Sequence, residues 1–95
     1  MATALAQKNR LAKLYQFQTQ YTAIYNQNCM LKSQGTDLMN QMIALKEYVY
    51  AHPDQVQGVR RYKLACQRYK ALEKQISKNE VRLAKLQCKI SQLSY

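Results

Sequence analysis

Along the first half of the chain, apolar residues recur in alternating steps of three and four: Leu14, Phe17, Tyr21, Ile24, Asn28, Leu31, Gly35, Leu38, Met42, Leu45 and Val49. That rhythm is the seam of a coiled coil, and only Asn28 and Gly35 depart from large apolar residues. The array stops at Ala51-His52-Pro53-Asp54. Pro53 cannot continue a helix, because its ring disfavours helical backbone in the residue before it and it has no amide donor, but it can open the next helix. A second array follows in the same steps: Tyr62, Ala65, Tyr69, Leu72, Ile76, Asn79, Leu83, Leu86, Ile90 and Leu93. The pattern predicts an all-α fold, a long two-helix antiparallel coiled-coil hairpin forming one domain over 1–95, with helix 1 at about 4–51, a turn at about 52–54 and helix 2 at about 55–94.

The register can be read from the requirement that facing residues have a constant sum of numbers. A sum of 107 opposes Leu14 with Leu93, Ile24 with Leu83, Leu31 with Ile76 and Leu45 with Tyr62, and centres the turn between Pro53 and Asp54. It also sets Asn28 against Asn79, so that the seam's two amides can bond each other, and such a polar layer fixes register. Gly35 falls opposite Leu72 and Ala65 opposite Met42, large against small in both layers. On the flank it brings Lys32 near Glu73 and Tyr25 near Glu80. Ser33-Gln34-Gly35-Thr36-Asp37 also reads as a helix stop followed by a Thr36 cap, which would give a three-helix bundle. The continuous helix is preferred, because the heptad phase passes through Gly35 without slipping.

Composition agrees with long helices: two Gly and one Pro leave few turns for a sandwich or an α/β fold. No window approaches the length of a membrane span, and 47% hydrophobic residues argue against disorder. Charge changes the picture more. Fifteen basic residues face five acidic ones, and residues 53–95, with ten basic and three acidic, carry +7 of the +10. Such a field favours polyanions, nucleic acid first among them. The basic residues of helix 2, Arg60, Arg61, Lys63, Arg68, Lys70, Lys74, Lys78, Arg82, Lys85 and Lys89, fall mostly on b, c, f and g positions, away from the seam. They form either a solvated outer face or a rail for a polyanion.

Helix 1 carries a second stripe on its e and b positions, Leu11, Tyr15, Tyr25, Cys29, Met39, Ile43 and Tyr50, which a two-helix hairpin cannot cover. Self-association through that stripe into a larger helical assembly is expected. Its g column is all Gln, at Gln20, Gln27, Gln34 and Gln41, with no charge code for a partner. Catalysis is not expected: the carboxylates are scattered, and His52, the single histidine, lies at the turn. Cys29, Cys66 and Cys88 form no CxxC pair and have no neighbouring His, so neither a metal nor another cofactor is implied. Free thiols point to the cytoplasm or another reducing compartment, and MATALAQKNRLAKL lacks the apolar core of a Sec-type signal. The absence of acids before Asp37 is also a transit-peptide trait, set aside because the heptads begin within that segment.

The stretch from Ala44-Leu45 through Pro53-Asp54 to Tyr62 and Tyr69 resembles the turn and second-helix start of type III secretion needle subunits. Leu11, Leu14, Phe17, Gln18 and Tyr21, with Leu72-Glu73-Lys74 and Ile76, are similar to the two arms of the coiled-coil stalk of the flagellar export ATPase. Either resemblance implies a non-enzymatic part of an export apparatus. The expected role is thus a structural or scaffold subunit whose partners are itself or a larger assembly, such as a filament, secretion apparatus or virion. A basic nucleic-acid packaging protein and a coiled-coil adaptor or stalk for one protein partner are the alternatives.

Overall fold

A computed structural model describes residues 2–94. The protein is an all-α helical hairpin of two long helices, α1 (Ala2–Ala51) and α2 (Val56–Leu93). By their contacts the residues fall into two compact units: an ends unit, Met1–Asn28 with Lys78–Tyr95, and a turn unit, Cys29–Ser77.

In the ends unit the seam positions of α1, Leu14, Phe17, Tyr21, Ile24 and Asn28, are buried or half-buried, as are Asn79, Leu83, Leu86, Ile90 and Leu93 on α2. Asn79 Nδ2 donates to Asn28 Oδ1 at 3.3 Å, and the two residues are 0% and 4% exposed. Pairing removes the cost of a buried, unbonded amide, about 1 to 3 kcal/mol for each group. Lys89 holds its ammonium 5.4 Å from the centre of the Phe17 ring. Arg10 reaches across from α1 and donates from Nε to the carbonyl of Leu93. That carbonyl belongs to the last turn of α2, where no helical donor remains, so a cation from the other arm caps this C-terminus.

In the turn unit the same rhythm is kept. Leu31, Gly35, Leu38, Met42, Leu45 and Val49 on α1, and Gly58, Tyr62, Ala65, Tyr69, Leu72 and Ile76 on α2, are all buried or half-buried. The helix runs unbroken through Gly35, whose φ is not positive. Thr36 is not a cap: it lies within α1, and its hydroxyl donates to the Lys32 carbonyl one turn back at 3.2 Å. The alternative of a third helix starting at Thr36 therefore does not apply.

The turn is tight. His52 N donates to Tyr48 O at 2.9 Å, the last bond of the α1 ladder, and Gln55 N donates to His52 O at 3.1 Å, closing a four-residue turn over Pro53-Asp54. Pro53 occupies the second position of that turn, where its fixed φ is favourable, instead of opening α2. Tyr48 holds the corner together: its ring stacks on His52 with centroids 4.5 Å apart and its hydroxyl donates to Gln55 Oε1 at 3.1 Å. Beneath that ring lies the buried Gly58, which the register sets opposite Val49; a methyl there would meet Tyr48 Cδ1 at 3.0 Å and Val49 Cγ2 at 3.6 Å. Gly58 is thus the place where the arms need a residue without a side chain.

Candidate functional site

A seam of single residues from each arm makes a thin core. Among the described residues only Ile24, Ala65 and Leu86 are buried hydrophobics, and Asn28 and Asn79 are the buried polar ones. What remains is helix surface, and its chemistry differs sharply between the arms.

The outward side of α1 carries the second stripe. In the ends unit Leu11 is 63% exposed, Tyr15 73% and Tyr25 52%; in the turn unit Met39 is 37%, Ile43 52% and Tyr50 79%. Cys29 is exposed as well. The structure brings none of these together into a closed site. One feature of this face is visible in the sequence and is not weighed by heptad reading: residues 14–31 contain no charged side chain at all. Tyrosines, glutamines, asparagines and threonines fill the space between Leu14 and Leu31. In the ends unit Tyr15, Gln18, Thr19, Thr22, Ala23 and Asn26 line a shallow hollow of about 400 Å³ on this face. Thr19 and Thr22 turn their hydroxyls onto the carbonyls of Tyr15 and Gln18, at 2.9 and 3.0 Å. Tyr21 and Tyr25 stack with ring centres 6.3 Å apart.

The outward side of α2 is the opposite. In the turn unit Arg60, Arg61, Lys63, Arg68, Lys70 and Lys74 are all exposed, and in the ends unit so are Lys78, Arg82, Lys85 and Lys89. Apart from Lys89 over Phe17, none of them pairs with another described residue.

Gly35 leaves the turn-unit seam open on both flanks. On one side Leu31, Leu38 and Leu72 floor a hollow of about 500 Å³ rimmed by Gln34, Gln41, Gln75 and Arg68. On the other, Lys32 and Glu73, expected to be neighbours, line a hollow of about 360 Å³ with Met39 and Tyr69. Leu72 lines both hollows, while Ala65 is buried at 6% and Met42 half-buried in their layer of the seam.

Reactive chemistry is sparse. No group of three His, Cys, Asp or Glu side chains that could hold a metal occurs among the described residues, and His52 is engaged with Tyr48 at the turn. The pKa of the Tyr62 hydroxyl is raised above its ordinary value of 10.0, first by a hydrogen bond with the Cys66 side chain one turn on, then by the electrostatic influence of that side chain, by burial and by Tyr50. Since the native state holds this proton more tightly than the unfolded chain does, its contribution to stability is complete below the unfolded value and lost only as pH climbs through the raised one. It leaves neutral pH untouched. No helix among the described residues is long and apolar enough to cross a membrane. No family model matches the chain, and no curated protein or solved structure matches it either.

Proposed function

We propose that this protein is a non-enzymatic assembly subunit whose copies associate through the outward face of α1, building a larger structure such as a filament, a secretion apparatus or a virion part. The observation that carries this reading is the charge-free run over residues 14–31, bearing the exposed Tyr15 and Tyr25, on a chain of net charge +10. Copies this strongly charged repel one another, and the face with no charge is where they can meet at the least electrostatic cost. Area supports it: the chain exposes 7646 Å², where a compact monomer of its mass would expose about 5,700 Å². The surplus, about 2,000 Å² per chain, exceeds the roughly 800 Å² that each partner gives to a standard interface. Tyrosine is suited to such a face, since it gives large contact area with few rotatable bonds and a hydroxyl that stays bonded. The resemblance to helical-hairpin export components is in keeping with a role through assembly.

The test is light scattering on a sizing column with reduced, nuclease-treated protein at low and high salt. An oligomer is expected at both salts, because apolar and amide contacts are not screened. Tyr15→Glu with Tyr25→Glu should leave a monomer of 11.1 kDa, weakening association by more than about 100-fold, since charges without partners would be buried. A parent protein that is monomeric at every salt concentration, or a double variant that still assembles, would overturn the reading.

A further inference from the structure

We infer that the outward side of α2 within the turn unit is a docking surface for double-stranded nucleic acid, held through its phosphates with no reading of sequence. The cations have no internal purpose: nine of the ten on α2 pair with nothing among the described residues. In the turn unit six of them, Arg60, Arg61, Lys63, Arg68, Lys70 and Lys74, fall within one stretch of α2 in which Glu73 is the single acid. At 100° per residue their heptad columns b, f and g cover about 140° of the helix circumference, centred away from the seam. The ends unit has exposed cations of its own, Lys78, Arg82, Lys85 and Lys89.

Charge density selects the partner. The stretch from Arg60 to Lys74 rises about 21 Å and carries six cations. Duplex nucleic acid presents one negative charge per about 1.7 Å of its axis counted over both strands, roughly twelve over that length, of which about half, six, face one side, enough to meet every cation. An acidic helix offers one carboxylate per turn on its contacting side, about four over the same rise. A membrane surface is a poorer fit, because interfacial binding inserts apolar side chains, and the exposed large hydrophobics of α2 are only Val56, Leu64 and Val81. Single strands are held by stacking as well as charge, and the tyrosines of α2, Tyr62 and Tyr69, are half-buried in the seam. The six cations lie along the flank of one helix, spread over about 140° of its circumference, which suits contacts to the phosphates of the backbone.

The experiment is a titration of a labelled 30-base-pair DNA duplex with full-length, nuclease-treated protein across salt concentrations. With about six phosphate contacts, affinity should fall about a thousandfold between 50 and 200 mM salt. Arg61→Gln, Lys63→Gln, Arg68→Gln and Lys70→Gln together should flatten the slope of log K against log salt by about 0.9 for each contact removed. Circular dichroism is to establish that this variant is helical, and Arg61→Lys with Arg68→Lys should keep the parent slope, since a phosphate contact requires charge and not a guanidinium. Tyr15→Glu with Tyr25→Glu, monomeric if the assembly reading holds, should still bind the duplex with a steep slope, which separates failure of one reading from failure of the other. A shallow salt dependence in the parent, an unchanged slope in the folded glutamine variant, or equal competition at equal charge by polyglutamate, phosphatidylserine vesicles or a single strand would overturn the inference.

Discussion

Asn79→Ala should melt about 10 °C below the parent when both are heated at the same protein concentration. Asn79 is fully enclosed and donates to Asn28 Oδ1 at 3.3 Å. Removing it leaves the Asn28 amide buried without this partner and a void beside it, a loss of about 2 kcal/mol, and each kcal/mol is worth about 4 to 8 °C in a domain of this size. The concentration must be held fixed because self-association would shift the melting point by mass action. Replacing both residues, Asn28→Leu with Asn79→Leu, should act in the opposite direction and raise the melting point above the parent's, since a buried polar layer is less stable than an aliphatic one. What the double variant loses is the layer that distinguishes one register from a slip by a heptad, and doubled amide resonances for seam residues in a two-dimensional NMR spectrum would report it. If Asn79→Ala melts with the parent, the buried amide pair does not stabilise the hairpin, and a single set of seam resonances in the leucine pair would mean that it is not what holds the arms in register.

The seam was readable because burial in a two-helix hairpin depends on one variable, the position around each helix. With three-four steps in both halves and a proline between them, the residues that had to face each other were determined before any distance was known. Thr36 shows the limit of that reading. Its neighbourhood has the composition of a helix stop, and it is the helical backbone carried through Gly35 and Thr36 that shows the ladder continues. Gly58 shows another limit, because glycine contributes nothing to an apolar pattern. The rule that opposes Val49 with residue 58 nonetheless reaches it, but the corner of Tyr48, His52 and Gln55 that packs over it does not follow from any periodicity. Arg10 could not be found from periodicity, as it acts on the end of the other helix. The exposed faces are less legible still. A partner's shape is not encoded in the periodicity of a helix, so the residues state the chemistry of a face, uncharged over 14–31 of α1 and cationic on α2, but not what lies against it.

The two faces also constrain each other. Copies that meet through α1 would leave the outward sides of α2 exposed, and their charge would accumulate as copies are added. A bound polyanion would relieve that repulsion, so duplex DNA at low salt should promote assembly in proportion to its length. The α1 face would set how copies meet, while α2 would set the conditions under which large assemblies persist.

The two glycines of the seam should respond to the same substitution in opposite ways. At Gly35 a methyl would have Tyr69 Cε2 as its nearest neighbour across the seam, at 4.0 Å, which is ordinary contact. Gly35→Ala therefore gains about 1 kcal/mol of helix propensity in mid-helix and buries a methyl in a layer that is open on both flanks, raising the melting point by about 5 to 10 °C. At Gly58 the methyl would come within 3.0 and 3.1 Å of Tyr48 Cδ1 and Cε1. That ring cannot yield freely, because it is stacked on His52 and tied through its hydroxyl to Gln55. Gly58→Ala should lower the melting point or leave it unchanged, the propensity gain being offset by displacement of the ring. The mechanism makes one further demand. In a Tyr48→Ala background the obstruction is gone, so Gly58→Ala should there become stabilising, and the double-mutant cycle should show a coupling of about 1 kcal/mol between the two positions. Additive effects would mean that the Tyr48 ring is not what keeps position 58 a glycine.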